Sequence, residues 1–308
     1  MSWTPDRLPD LGGRSYFITG GNSGIGLEAT KILCRKGARV VIGARSQAKA
    51  EAALAEVAAE VPGAATGWIA LDLTDPDSIA AAARQVTETL PKLDALVNNA
   101  GVMQTPQRQT AEGFELQFAT NHLGHFRLAA ALYPHLAASA GRIVVVASIV
   151  HHQGRIDLDD LMQRAHYNPT RTYAQSKLAN LMFAFELDRR LRAADSPVVC
   201  IPCHPGYSAT NLQTAGVGMQ GGSRFFRTLY GLTNRLVAQS AERGAYPLAL
   251  AAADPEAKRG TYYGPTGIGD MRGAVGVSKV ARHARDEDVA ARLWEATEAL
   301  VGPFAIEG

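Results

Sequence analysis

The sequence predicts an α/β fold in which a parallel sheet is covered by helices on both faces. Continuous apolar segments rich in β-branched residues alternate with alanine-rich segments of helical spacing, and this alternation is typical of a doubly wound sheet. The chain has 308 residues, of which 46% are hydrophobic, so it can bury the large core that such a sheet requires. We therefore expect a single α/β domain over residues 1–308.

The predicted elements alternate from the start of the chain, and no internal repeat or low-complexity linker separates them. The predicted strands are 15–19, 38–44, 67–71, 94–99, 142–148, 197–202 and 261–264. The predicted helices are 24–36, 46–60, 76–90, 110–138, 171–193 and 240–253.

Two segments depart from the alternation, and each follows the carboxyl end of a strand. Residues 149–169 form a polar insertion rich in histidine and aspartate, and residues 211–239 are glycine-rich and then amphipathic. Ligands bind at this edge of open α/β sheets. The stripe of apolar and arginine residues in 224–237 fits a lid over a substrate, a subunit interface or a membrane-surface contact. Residues 265–308 are predicted as a C-terminal extension.

The charge pattern excludes some classes of partner. The 31 basic and 29 acidic residues are mixed along the chain and give a net charge of +2, so there is no basic footprint for nucleic acid. The N-terminal stretch carries charges and prolines where a signal peptide needs an apolar core, and no run of about 18 apolar residues occurs. We expect a soluble cytoplasmic protein without a transmembrane anchor.

The three cysteines do not predict a disulfide or a metal site. Cys200 and Cys203 form a C-x-x-C spelling, but they lie in a predicted buried strand, where residues three apart point to opposite faces. Redox motifs of this spelling begin a helix instead. We interpret Cys34, Cys200 and Cys203 as core residues.

Histidines cluster in two regions, but the pattern does not predict a metal site either. The residues are His122, His125, His151, His152 and His166. A spacing of three on a helix permits a shared ligand, but no clear carboxylate or cysteine completes a set. We interpret these residues as polar helix and loop histidines.

A glycine-rich turn predicts a dinucleotide site. The stretch TGGNSGIG, residues 19–26, follows the first strand and opens the first helix. Its glycines permit a tight turn and a close backbone approach to a pyrophosphate, whose charge then lies at the helix N-terminus. The cofactor-binding residues predicted here are Gly20, Asn22, Ser23, Gly24, Ile25 and Gly26.

The end of the second strand favours NADP(H) over NAD(H), although NAD(H) stays open. An NAD enzyme places an acidic residue about 20 residues beyond the glycines, whereas an NADP enzyme needs a cation for the 2′-phosphate. This chain has Ala44 and Arg45 at that point, and an arginine suits a phosphate. Arg45 as an ordinary surface residue is the alternative.

Two further turns are candidates for cofactor contact. Asp72, followed by Leu73, could accept a hydrogen bond from the adenine amino group. The alternative for Asp72 is a residue of a helix N-terminal turn, a role that Asp75 fits better. The predicted contacts at the end of the fourth strand, in the stretch NNAG, are Asn99, Ala100 and Gly101.

One tyrosine has a lysine partner at helical spacing. Tyr173 stands four residues before Lys177, so the two side chains project from one helix face. An opposite charge typically lowers a phenol pKa of about 10 by 1–3 units, which would suit a general acid or base. Tyr167 has no such partner and belongs to the insertion. Pro169 predicts that the helix begins after Asn168.

These motifs in this order resemble the classical short-chain dehydrogenase/reductase family over residues 13–265. The resemblance rests on TGGNSGIG, DL at 72–73, NNAG at 98–101, NHLG at 121–124, Ser148, YAQSK at 173–177 and PGYSAT at 205–210. It implies a Rossmann-type sheet of about seven strands in the order 3-2-1-4-5-6-7 and a cofactor that is a nicotinamide dinucleotide. It also implies a homodimer or a homotetramer.

The resemblance also implies a catalytic tetrad of Asn121, Ser148, Tyr173 and Lys177. Ser148 would hydrogen-bond the substrate oxygen, and Asn121 would connect through water to Lys177. The nicotinamide carboxamide would be held by Pro205, Gly206 and Thr210, and Tyr173 and Lys177 would also contact the cofactor.

The spacing of Ser148 and Tyr173 departs from many classical members. They are separated by 25 positions, and this longer stretch is similar to the retinol-dehydrogenase-like branch and its bacterial relatives. That branch tends to act on bulky apolar alcohols, aldehydes and ketones. Its animal members often carry a membrane anchor, which we do not expect here.

The sequence therefore predicts an NADP(H)-dependent oxidoreductase that interconverts a carbonyl and an alcohol on an apolar small molecule. Carbonyl reduction is favoured because cellular NADP pools are mostly reduced. Two alternatives stay open, namely an NAD(P)-dependent epimerase or dehydratase and a dinucleotide-sensing regulator without turnover.

Overall fold

The computed structural model describes residues 3–207 and 239–306, and its centre is an eight-stranded sheet. The strand order is β3-β2-β1-β4-β5-β6-β7-β8, which confirms the predicted order and adds an eighth strand. The strands are β1 Ser15–Thr19, β2 Arg39–Ala44, β3 Thr66–Ala70, β4 Ala95–Asn98, β5 Arg142–Val146, β6 Val199–Cys203, β7 Tyr263–Pro265 and β8 Val275–Val277. All neighbours pair in parallel except β7 and β8.

Helices cover both faces of the sheet. They are α1 Gly24–Arg35, α2 Gln47–Glu60, α3 Pro76–Thr89, α4 Leu116–Phe118, α5 Gly124–Ala138, α6 Pro169–Ala193, α7 Ala241–Ala253 and α8 Glu287–Val301. Core residues of α1, α2 and α7 cluster on one face, and those of α3, α5 and α6 cluster on the other. The strands supply both clusters because successive side chains alternate between faces. Ile18 lies in the first cluster and Phe17 in the second.

The C-x-x-C cysteines show the same alternation. Cys200 lies in the core cluster on one face, Cys203 lies in the cluster on the other face, and both are free thiols. Burial raises the pKa of each thiol above its ordinary value. The prediction that these cysteines are core residues is confirmed.

The helix predicted over 110–138 begins later than expected, at Leu116. Residues before it form a turn in which the Thr110 N–H donates to the Phe114 carbonyl and Gly113 has φ of +79°. Glu115 then accepts from the Phe118 N–H at the helix start. The next residues, Ala119–Leu123, form a π-helix, and α5 follows from Gly124. The single predicted helix is therefore a turn, a short α-helix, a π-helix and a longer α-helix in succession.

The predicted extension over 265–308 contains β8 and α8, and both belong to the packed structure. In α8, the ring of Trp294 packs against Phe126 and Phe183 with centroids 5.0 and 5.8 Å apart. Strand β8 adds an antiparallel edge, and Trp3 forms an isolated bridge to its first residue, Val275. The indole N–H of Trp3 also donates to the Asp254 carboxylate.

Two observations concern the predicted surface features. No helix in residues 3–207 and 239–306 has both the length and the apolar character needed to cross a membrane. Thr210 and the amphipathic stretch 224–237 lie outside the described residues, as does the predicted lid-like segment 211–239 apart from Gln239.

Candidate active site

A cleft of about 480 Å³ opens at the carboxyl edge of the sheet, where the strand order reverses between β1 and β4. This is the position at which open α/β sheets bind dinucleotides. The predicted residues that line it are Gly20, Asn22, Ser23, Gly24, Ile25, Gly26, Arg45, Asp72, Leu73, Asn99, Ala100, Gly101, Ser148, Tyr173, Lys177, Pro205 and Gly206. One cleft thus brings together the predicted cofactor and catalytic residues, except Asn121 and Thr210.

The glycine-rich turn forms one wall of the cleft. Gly20 has φ of +66°, a conformation that glycine adopts without strain. A Cβ at Gly26 would meet the Gly20 carbonyl and the Asn99 side chain. Asn99 reinforces this approach because its Nδ2 donates to the Thr19 carbonyl at 2.8 Å. The N-terminus of α1 lines the cleft, and the N–H groups at a helix N-terminus suit the phosphates of a dinucleotide.

Two cations lie where the second strand leads into α2. Arg45 follows β2 directly, and Lys49 lies one turn into the helix that Ser46 caps. Both side chains are exposed and line the cleft. Lys49 was not among the residues predicted from the sequence, although its position on the first turn of the predicted helix 46–60, just after Arg45, was an available signal.

The loop after β3 separates the two aspartates that the sequence placed there. Asp72 lines the cleft, and its Oδ1 accepts from the Thr74 N–H and hydroxyl at 2.9 and 2.7 Å. Asp75 caps α3, because its side chain accepts from the Asp77 N–H. The prediction that Asp75 is the better helix-start residue is confirmed. The contact between Asp72 and adenine stays a prediction.

Tyr173 and Lys177 lie on the first turns of α6 and are both nearly buried, with 8% and 4% of their surfaces exposed. The Nζ of Lys177 donates to the Val146 carbonyl at 3.0 Å, so the end of β5 holds the ammonium group. Ser148 follows two residues later and hydrogen-bonds Tyr173. The three side chains all line the cleft.

The acidity of this group differs from the sequence-based expectation. Burial raises the pKa of Tyr173 to about 12, and the Ser148 hydrogen bond only partly opposes the increase. Burial also lowers the pKa of Lys177 to about 8. The expectation of a lowered Tyr173 pKa is therefore wrong in this structure. Burial removes the phenolate from water, and this destabilises the charged form more than the neighbouring groups stabilise it.

Asn121 lies behind the cleft wall, in the π-helical turn before α5. It is fully buried. Its Oδ1 accepts from the Val102 N–H at 2.8 Å, and its Nδ2 donates to the Val102 carbonyl and the Ser176 hydroxyl, each at 3.0 Å. Asn121 therefore fixes the loop after β4 against α6. Its water-mediated link to Lys177 stays a prediction.

The loop after β6 is also built around hydrogen bonds. The Gly206 N–H donates to His204 Nδ1 at 3.1 Å, and Gly206 has φ of +67°. Gln239, from beyond the undescribed segment, donates to the Pro205 carbonyl. Pro205 and Gly206 line the cleft.

Several residues that the sequence analysis missed form an apolar part of the cleft. They are Val102, Met103, Ile149, Val150 and Tyr207. The signal was available for Ile149 and Val150, because they directly follow Ser148 at the carboxyl end of a strand.

Tyr167 does not line the cleft. Its hydroxyl donates to the Thr105 carbonyl at 2.7 Å and accepts from Gln117 Nε2 at 3.0 Å. It thereby joins the insertion to the loop after β4. The distinction between Tyr167 and Tyr173 that the sequence suggested agrees with these positions.

The helix histidines are core residues and not exposed ones. His122 Nε2 lies 3.0 Å from the Thr297 hydroxyl, and His125 Nε2 lies 2.8 Å from the Thr19 hydroxyl. Burial lowers their pKa values to about 3 and about 4. Among the described residues, no three His, Cys, Asp or Glu side chains are grouped so as to hold a metal ion.

Comparison with known proteins identifies the family. Residues 14–219 match the family model described as short chain dehydrogenase. The chain belongs to the short chain dehydrogenase family. It is also 36% identical to human Retinol dehydrogenase 14, with 94% of this chain and 87% of that protein covered.

Solved structures of similar proteins agree with the fold. A protein from Mycobacterium paratuberculosis is 36% identical, with a TM-score of 0.80 and coverage of 99% of this chain and 100% of that chain. A short chain dehydrogenase from Burkholderia cenocepacia in complex with NADP is 25% identical, with a TM-score of 0.63 and coverage of 82% and 96%. As a member of this family, the protein is an oxidoreductase that uses a nicotinamide dinucleotide on alcohol or carbonyl groups.

Proposed function

We propose that this oxidoreductase uses NADPH to reduce a ketone or aldehyde on an apolar small molecule. The carrying observation is the pair of exposed cations, Arg45 and Lys49, at the end of β2, where an NAD enzyme would present an acidic residue. The related Burkholderia structure contains NADP. A guanidinium and an ammonium together suit a 2′-phosphate.

The apolar cleft residues support the proposed substrate class. Met103, Ile149 and Val150 line the same cleft as Ser148, and they add hydrophobic surface to it. The related Retinol dehydrogenase 14 takes its name from an apolar alcohol. An extended apolar carbonyl compound is the substrate that fits both observations.

The side chains of Ser148, Tyr173 and Lys177 fit a reduction. When bound, NADPH supplies the hydride. Ser148 would donate a hydrogen bond to the substrate oxygen, and Tyr173 would give that oxygen its phenolic proton. A Tyr173 pKa of about 12 keeps the phenol protonated at neutral pH, which is the state that proton donation requires. Protonated Lys177 would hold the cofactor ribose and stabilise the phenolate that remains.

The first experiment measures NADPH oxidation at 340 nm with decanal, 2-decanone and all-trans-retinal, and repeats each assay with NADH. We expect turnover with NADPH to exceed turnover with NADH. Arg45→Ala should raise the KM for NADPH about 10- to 100-fold, the equivalent of one charge-assisted hydrogen bond. The KM for NADH, which lacks the phosphate, is the control. Equal or better use of NADH by the unmodified protein would contradict the cofactor assignment.

The second experiment tests the proton donor. Tyr173→Phe should bind NADPH with unchanged affinity, measured by its fluorescence, and lose about 10²- to 10⁴-fold in turnover. A sensor without turnover would show no difference between the two proteins in the assay. A cytoplasmic location and a homodimer or homotetramer stay predictions of the sequence.

A further inference from the structure

His151 lies three residues after Ser148, in the 3₁₀ turn Ile149–Gln153, and is fully buried. Its Nδ1 lies 2.7 Å from the Ser148 carbonyl, and its Nε2 accepts from the Ala281 N–H at 3.2 Å. A carbonyl can only accept and a backbone N–H can only donate, so the proton is on Nδ1 and the lone pair is on Nε2. The ring therefore links the candidate catalytic serine to the C-terminal part of the chain.

The environment keeps this ring neutral. Burial lowers the pKa of His151 to about 4. The charged or titratable groups around it are His152, His283, Asp270, His204 and Tyr262. His283 adds a second link, because its Nε2 lies 3.2 Å from the His151 carbonyl. The ring and the backbone carbonyl of His151 are thus both hydrogen-bonded to residues 281–283.

The same C-terminal region holds the loop at the other side of the cleft. His204 Nδ1 accepts from the Gly206 N–H, and His204 Nε2 lies 2.9 Å from the Ser278 hydroxyl. Ser278 in turn donates to the Pro265 carbonyl at 3.3 Å. We refer to residues 278–283 as the C-terminal brace, because they contact both buried histidines.

We propose that His151 is a positioning residue for Ser148 and that the C-terminal brace holds it in place. This inference rests on the proposed role of Ser148. The Ser148 side chain accepts from the Val150 N–H at 3.3 Å, while the His151 ring holds the Ser148 carbonyl. The Ser148 carbonyl also accepts from the His151 backbone N–H at 3.1 Å. Loss of the ring therefore removes one of its two hydrogen bonds and the attachment to Ala281, which leaves the hydroxyl freer to shift. A displacement of about 1 Å in a reacting group can cost about 100-fold in rate.

The first test compares two adjacent histidines. His151→Phe removes both ring hydrogen bonds. His152→Phe makes the same change at an exposed residue, and its phenyl ring can still pack on His151, whose ring centroid lies 4.1 Å from that of His152. We expect His151→Phe to lower kcat about 10- to 100-fold with the NADPH dissociation constant unchanged. His152→Phe should leave both quantities unchanged. His151→Asn, whose amide can still donate to the Ser148 carbonyl, should recover part of the lost kcat.

The second test leaves the ring in place. Ala281 has φ of −59°, which proline adopts readily, so Ala281→Pro removes the N–H that holds His151 Nε2 without a change in the cleft. We expect a several-fold lower kcat and faster amide hydrogen exchange across residues 148–153. Thermal unfolding followed by circular dichroism checks that each variant is folded. If His151→Phe does not fold, Ala281→Pro and His151→Asn carry the test.

Hydrogen exchange separates the two proposals because it needs no substrate. Faster exchange at 148–153 in His151→Phe and Ala281→Pro, in a protein that reduces none of the assayed carbonyls, would support the brace and contradict the proposed function. Unchanged exchange together with unchanged kcat in both variants would overturn the brace.

Discussion

Lys177 is the residue in the candidate site whose protonation changes nearest to physiological pH. Its ammonium group is buried among the end of β5 and the start of α6, and its one protein hydrogen bond among the described residues goes to the Val146 carbonyl. This environment compensates little for lost hydration, and the pKa falls to about 8. The charge on Lys177 is therefore variable within the working range of many enzymes.

This pKa predicts the pH profile of cofactor capture. The kcat/KM for NADPH reports groups of the free enzyme, so it should fall about tenfold per pH unit above pH 8 as Lys177 loses its proton. Initial rates at several NADPH concentrations from pH 6 to pH 10 measure this. Circular dichroism at each pH is the control for folding. A profile that is level up to pH 9.5 would contradict the assignment.

At the residue scale, spacing predicted more of the site than of its chemistry. The four-residue separation of Tyr173 and Lys177 predicted their shared cleft, because helix geometry fixes which side chains are neighbours. Their pKa values depend on burial by β5 and the loop after β6, and no local pattern carries that information. The role of His151 could not be predicted from local spacing either, because its hydrogen-bond partner Ala281 is 130 residues away.

At the element scale, the start of α6 determines where Tyr173 and Lys177 lie. Asn168 caps the helix, with its Oδ1 accepting from the Thr170 and Arg171 N–H groups at 3.0 Å each. Pro169 occupies the first helical position, where a missing N–H has no cost. The predicted boundary at Asn168 is confirmed, and the helix begins at Pro169, two residues before the predicted start at 171.

Replacement of the cap should lower stability in a defined way. Asn168→Ala removes the acceptor for two N–H groups and should reduce the free energy of unfolding by about 1 kcal/mol. Asn168→Asp keeps an acceptor and is the matched control, with a change near zero. Urea unfolding followed by circular dichroism measures both. Equal stability of the alanine variant and the unmodified protein would show that the helix start does not depend on this side chain.

Other elements were harder to predict from local patterns. The apolar spacing before Leu116 resembles a helix, but Gly113 in a left-handed conformation turns the chain there. Strand β8 has three residues, one of them glycine, and forms because β7 and Trp3 pair with it. Strands with consecutive apolar residues, such as β5, were predicted well, because apolar residues at successive positions indicate a strand buried on both faces.

At the scale of the whole molecule, four buried histidines make stability depend on pH. Their pKa values are lowered by burial to about 3 for His122 and His204 and about 4 for His125 and His151. In the unfolded chain, histidine titrates at about 6.5. The unfolded state therefore binds more protons between these values, and the contribution to stability that is present above pH 6.5 is lost as pH falls.

The expected slope follows from the number of protons. Four histidines give at most about 5.5 kcal/mol per pH unit, at about 1.4 kcal/mol for each proton. Urea unfolding at pH 7, 6 and 5 measures the slope above the range where ordinary carboxyl groups titrate. His122→Gln should reduce this slope by up to about 1.4 kcal/mol per pH unit, the equivalent of one proton. The same change at the exposed His166 is the control. A stability that does not change between pH 7 and pH 5 would contradict the neutral, buried state of these rings.

The bridge between Trp3 and Val275 bears on self-association of the protein through the β8 edge of its sheet. Strand β8 is short, and Val277 on it is 67% exposed. Unpaired strand edges invite pairing by other chains, and Trp3 occupies part of this edge. Removal of Trp3 would leave β8 available to a strand from a neighbouring copy. Self-association through the sheet edge, with the cleft still intact, is therefore the expected first defect of such a truncation.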